Sequence, residues 1–138
     1  MANLFHASEA ASLGLHAAVL LARSPGRLVP VKELARVLKA SAAHLAKVLQ
    51  SLEHAGLVEG VRGPSGGFRL ARPAARVSLK QVYEAVEGPF GDGRCLFGVP
   101  ACRGNGCPLG GFTRALSARV VDRLGRTRLS DVKVKLGG

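Results

Sequence analysis

No tryptophan occurs in this chain of 138 residues, and tyrosine occurs once. A core anchored on large aromatic rings is thereby excluded. Apolar residues still make up 47% of the sequence, supplied by Ala, Leu and Val, which implies thin, closely packed helices and a mainly α fold. Acidic residues are scarce as well: nine Asp and Glu stand against 20 Lys and Arg, a net charge of +11. With only four histidines, spread along the chain, these few carboxylates form no acid–base constellation of the kind an enzyme needs. The excess of positive charge is instead what a polyanion binder carries. A basic surface that is merely solvated, in an Ala- and Arg-biased composition, is the plainer reading of the same charge. There is no run of about 18 apolar residues, the minimum for a membrane-spanning helix. Nor does the N-terminus lead from a basic stretch into an apolar core and a small-residue cleavage site. The expectation is a cytoplasmic protein with no membrane partner, whose length allows one core and at most a small appended element.

Cysteine is missing from all but thirteen residues, where Cys95, Cys102 and Cys107 stand at C-x6-C-x4-C spacing. An odd set of three thiols in a reducing compartment is not a disulfide framework. The C-x-x-C pairs of a zinc knuckle or a thiol-redox enzyme are absent too, which makes zinc an unexpected occupant. What remains is a soft ligand set on a segment, residues 88–111, that holds eight glycines and can aim its sulfurs inward. Arg94 and Arg103 beside them offset thiolate charge. Free thiols without a cofactor are the plain alternative. Three thiolates leave a fourth position to fill; Asp92, Glu9 and His6 are the candidates, and Glu9 is also an ordinary acid at a helix N-terminus.

The remainder divides into recognisable elements. Ser8 caps a helix running to about Ala22, with Ala11, Leu15, Ala18 and then Leu21 or Ala22 on one face. Pro25-Gly26 ends it, and Val31, Leu34, Ala35 and Leu38 repeat at helical spacing. After a tight connection through Lys39 and Ala40, Ser41 caps a third helix that buries Leu45, Val48, Leu49 and Leu52 and stops at Gly56. Two short helices with a brief turn spell helix-turn-helix. Leu57-Val58 and Phe68-Arg69-Leu70 then read as two strands joined by Arg62-Gly-Pro-Ser-Gly-Gly67, a hairpin placed as a wing. Ser78-Leu-Lys-Gln81 is a capping-box pattern opening a fourth helix with Leu79, Val82, Tyr83 and Val86 inward. From Phe112 to about Leu124 a last helix carries Phe112, Leu116, Val120 and Leu124 on one stripe, with arginines opposite. That stripe suits either a second copy of the chain or the first helix.

A helix-turn-helix enters the major groove with the first turns of its second helix, which singles out Ser41, Ala43, His44 and Lys47. Lys47 suits phosphate, and His44 reads equally as a partly packed surface histidine. In the wing, Arg62 and Arg69 flank a glycine-rich tip able to approach the minor groove or phosphates; solvated arginines on a plain turn are the alternative.

Taken together, Ser41-Ala-Ala-His-Leu-Ala-Lys47, Ala55-Gly-Leu-Val58, the wing Val61-Arg-Gly-Pro-Ser-Gly-Gly-Phe68 and the three-cysteine loop before a long helix resemble the Rrf-two family of bacterial winged-helix regulators. The resemblance covers nearly the whole chain. It implies a homodimer crossed at the C-terminal helices, a palindromic double-stranded DNA operator, and an iron–sulfur cluster, 2Fe-2S or 4Fe-4S, in the cysteine loop. It also carries Ser65 over as a wing contact beside Arg62. Ala46 stands where the IscR subgroup has an acidic base-reading residue, so a different operator is implied. The usual five-and-five cysteine spacing is here six and four, and Gly110 replaces that subgroup's histidine ligand. By resemblance to the nitric-oxide sensors, the fourth ligand is then Glu9 of the partner subunit.

The expected architecture is a winged helix-turn-helix domain over residues 1–87, a cluster-binding loop over 88–111, and a dimerisation helix with its tail over 112–138. The expected function is a non-enzymatic, sequence-specific DNA-binding transcriptional regulator, a homodimeric repressor sensing iron, redox state or nitric oxide through an iron–sulfur cluster, with no small-molecule substrate. A cluster-free thiol or zinc regulator, or a nonspecific nucleic-acid binder, stands as the alternative.

Overall fold

The computed structural model describes residues 5–91, 95–96 and 106–136. Its helices are α1 (Glu9–Ala22), α2 (Val31–Leu38), α3 (Ala42–His54), α4 (Leu79–Glu87) and α5 (Gly110–Arg126), with strands β1 (Val58–Val61) and β2 (Gly67–Leu70) between α3 and α4. The helix starts follow from hydroxyl caps that satisfy otherwise orphaned backbone N–H groups. Ser8 Oγ accepts from Ala11 N at 3.1 Å and Ser41 Oγ from His44 N at 3.3 Å. Ser78 and Gln81 complete a reciprocal capping box, with Gln81 N donating to Ser78 Oγ at 3.1 Å and Ser78 N to Gln81 Oε1 at 2.8 Å. The turn between α2 and α3 is tight because Lys39 adopts a left-handed conformation, φ 53°.

α1 differs from the single-stripe expectation. Ala11, Leu13, Gly14, Ala17, Ala18, Val19 and Leu21 are all buried, spread around the helix, because α2, α3, α4 and β2 all pack against it. Its small residues serve this central position, letting several elements approach one axis. Around it Leu34, Leu45, Leu49, Leu52, Val58, Val77 and Val82 close the core. Replacing the fully buried Leu49 with alanine is expected to lower stability by about 2–5 kcal/mol, read as a reduced denaturant midpoint at unchanged slope.

β1 and β2 pair antiparallel in the register Val58↔Leu70, Glu59↔Arg69, Gly60↔Phe68 and Val61↔Gly67. A third stretch joins this hairpin: Val29, from the α1–α2 connection, exchanges backbone hydrogen bonds with Phe68 at 2.8 and 2.9 Å. The wing is thus anchored at its base to the helix-turn-helix.

α5 starts two residues before the expected Phe112 and packs on α4. Only Thr113 of its seventeen residues is buried, and Phe112 and Val120 are 63% and 43% exposed. Beyond it the chain returns to the core: Leu129 N donates to Val77 O at 2.8 Å, Leu79 N donates to Thr127 O at 2.9 Å, and Leu129 is buried beside α1. No helix among the described residues is long and apolar enough to cross a membrane.

Candidate nucleic-acid interface and cysteine segment

The recognition surface begins at the cap of α3. Ser41 and Ala43 are exposed, His44 is half-buried and Lys47 is exposed, so the first two turns offer side chains outward while Leu45, Val48 and Leu49 hold the opposite face in the core. Lys47 and Arg62 form no ion pair among the described residues, and both reach solvent. A groove of about 610 Å³ runs between α3 and the wing, lined by Gln50 and Glu53 on one side, Arg62, Gly63 and Pro64 on the other, and Lys32 at the start of α2. The helix and the wing therefore flank one surface. Ser65 and Arg62 lie exposed at the hairpin tip.

Arg69 is placed otherwise than its neighbours. Its Nε donates to Glu59 Oε1 at 2.6 Å and a second guanidinium nitrogen closes on the same carboxylate, across the strand pair. In the free chain this arginine braces the wing, a cross-strand charge pair on directly opposed residues. Glu53 has a similar function that sequence reasoning missed. Its carboxylate accepts from Gly60 N at 3.0 Å, tying the end of the recognition helix to the first wing strand. An acid seven residues before a glycine gives no pattern by which to find such a bond. Farther from the interface, the Arg27 guanidinium, hydrogen-bonded to Glu33 at 2.9 Å, holds that carboxyl below its usual range.

Glu9, the candidate fourth ligand, lies in the first turn of α1 beside the recognition helix, with Oε1 3.9 Å from His44 Nδ1. Of the cysteines, Cys95 is half-buried and Cys107 exposed, neither in a disulfide. Cys102, Asp92, Arg94 and Arg103 lie outside the described residues. Cys107 precedes the first turn of α5, where its carbonyl accepts from Gly110 N at 3.3 Å; the partial positive charge of that helix N-terminus favours anionic ligands nearby. Accessible, uncrosslinked thiols are the donor chemistry that an iron–sulfur cluster takes. Among the described residues no three of His, Cys, Asp and Glu converge closely enough to hold a metal ion.

A family model named Rrf2 and described as an iron-dependent transcriptional regulator matches residues 7–135. The HTH-type transcriptional regulator IscR of Cereibacter sphaeroides is 36% identical over 121 residues, covering 82% of this chain and 75% of its own length. Protein aau3 of Rhizobium meliloti is 43% identical over 70 residues, 51% of this chain and 46% of that protein. Among solved structures, the global cysteine regulator CymR of B. subtilis superposes with a TM-score of 0.77 at 23% identity, covering 92% of this chain and 95% of the other. T. potens IscR does so with a TM-score of 0.74 at 23% identity, covering 92% and 85%. The winged-helix architecture is thus shared with these regulators, and the homologues are regulators rather than enzymes. On the match across residues 7–135 and the identity to IscR over most of its length, the chain belongs to the Rrf2 family of transcriptional regulators.

Proposed function

We propose that this DNA-binding regulator acts as a cytoplasmic homodimeric repressor on a palindromic operator, and that Cys95, Cys102 and Cys107, with Glu9 of the partner subunit, hold an iron–sulfur cluster. The observation that carries the DNA part is that the first turns of α3 face outward while the later part of the same helix, at Gln50 and Glu53, shares a groove with the Arg62–Pro64 segment of the wing, with Lys47 and Arg62 uncommitted to any acid among the described residues. Lys47 and Arg62 take phosphates, Ser41, Ala43 and His44 meet base edges, and Ser65 follows Arg62 at the wing tip. Arg69 joins the DNA contacts only by leaving Glu59. A bound cluster supplies redox, iron or nitric-oxide responsiveness. The chain's own residues supply the donors and the link to DNA, since the cysteine segment leads straight into α5 and two recognition helices must sit about one helical turn apart on DNA to bind together.

Each of Lys47→Ala and Arg62→Ala is expected to weaken binding evenly across sequences and to reduce the slope of log affinity against log salt by about 1; an unchanged slope removes that residue from the phosphate contacts. For the cluster, anaerobic reconstitution of the wild type is expected to give bound iron and sulfide with visible absorption, and Cys102→Ala none. A second reading, cluster-free thiol regulation, is favoured by the exposed thiol of Cys107 and the fold shared with CymR. A wild type that selects an operator yet takes up no iron or sulfide establishes that reading instead.

A further inference from the structure

Two helix N-termini meet beside the recognition surface. His44 is in the first turn of α3, its backbone N–H held by the Ser41 cap. Its ring is turned so that Nδ1 lies 3.9 Å from the carboxylate of Glu9, in the first turn of α1. The distance is an ion-pair separation, too long for a hydrogen bond, so the carboxylate acts on the ring by charge and orientation. Its setting is not random. Ser8, which caps α1, also bonds the Glu87 carboxylate at the end of α4, so the first turn of α1 is held at both its cap and its neighbour. The side chain of Glu9 is 81% exposed while that of His44 is 39% exposed. Glu9 therefore contributes little packing, and its effect on α3 runs through its charge. With Nδ1 facing α1, Nε2 is the ring nitrogen left for another partner. It sits on the same helical turn as the exposed Ala43 and one turn before Lys47.

We propose that Glu9 is a specificity-determining positioning residue: its carboxylate fixes the orientation of His44 and so sets the base preference at one position of each operator half-site. The inference rests on the reading of α3 as the base-contacting helix. It also gives the candidate fourth ligand a second occupation. A carboxylate drawn to a metal centre is withdrawn from His44, so the two roles of Glu9 exclude each other.

The test uses the full-length chain, metal-free under anaerobic conditions, to select binding sites from a randomised duplex pool. Wild type, Glu9→Gln, His44→Gln and the double variant are compared, with thermal unfolding run alongside. Glu9→Gln is expected to change the preference at one half-site position, on the order of fivefold in relative affinity. That position is the one His44→Gln changes, and the double variant is expected to match His44→Gln alone because the two residues act as one unit. An unaltered base profile in Glu9→Gln, beside an altered one in His44→Gln, overturns the positioning role. So does a Glu9→Gln effect that is uniform over all sequences, which marks a general charge effect, or one accompanied by a lowered unfolding midpoint, which marks a structural role. If the wild type selects no sequence at all, the failure belongs instead to the reading of α3 as a base-contacting helix.

Discussion

Alanine at Gly66 is expected to cost at least tenfold in operator affinity, a loss of about 1.4 kcal/mol or more, while Pro64→Ala at the neighbouring exposed tip position costs little. A Cβ built on Gly66 falls 2.0 Å from Val61 O and 2.9 Å from Arg62 C. Both are backbone atoms, one at the end of β1 and one in the turn that follows it, so no side-chain rotation relieves the overlap and the hairpin must open. Overpacking of this kind typically costs about 1–3 kcal/mol. Its local consequence is greater here, because Arg62 and Ser65 ride on the displaced segment. Gly67 is constrained twice over. Its φ of 154° falls where side chains are strained, and a Cβ there comes within 2.5 Å of the Val29 carbonyl, against which the Val29–Phe68 bridge is formed. Gly67→Ala is therefore expected to detach the base of the wing from the helix-turn-helix. Fluorescence anisotropy on the selected operator, paired with denaturant unfolding, measures both effects. Wild-type affinity in Gly66→Ala would show that the wing is not held closed in the bound state.

These glycines show why the wing was legible from the chain. Gly66 answers to backbone approaching backbone within one hairpin, which depends on neighbours in sequence and on the turn they form. The helix starts were legible for a similar reason, since Ser8, Ser41 and Ser78 each bond within three residues of themselves. Positions decided by distant partners were not. Val29 looks like any apolar loop residue until Phe68 is brought beside it, and Glu53 looks like a solvated acid until the wing folds back over α3. The circumferential burial of α1 is of the same kind, because a periodicity argument assumes one packing face and the middle helix of a small domain has several. At the candidate site, the spacing of the cysteines announces a ligand set, but it does not encode the proposed completing group, Glu9 of the partner subunit. The closeness of Glu9 to His44 joins residues thirty-five apart, and no local pattern encodes it.

Aspartate at both Phe112 and Val120 is expected to convert the proposed dimer into a monomer and to lower operator affinity by about 10²–10⁴-fold. Phe112, Leu116, Val120 and Leu124 recur every four residues along α5, and the structure leaves Phe112 and Val120 more exposed than a single chain has reason to. Leu116 and Leu124 are half-buried, so the stripe is in part covered and in part open. A second copy crossing the same stripe by a two-fold axis buries identical patches on both chains. Two carboxylates per chain placed in that contact must be desolvated without partners, at several kcal/mol each. Within one chain the same side chains stay in water, and the fold is held elsewhere, by α1 and by the return of Leu129 to the core. Thermal unfolding extrapolated to low concentration is therefore expected to change little. The affinity loss follows because a monomer engages one half-site, whereas the dimer binds its second half-site at an effective concentration set by α5 itself. Sedimentation and operator titration of one preparation separate the two steps. A double variant that still sediments as a dimer places the contact off this stripe, and a monomer that keeps full operator affinity shows that dyad binding is not how this protein recognises DNA.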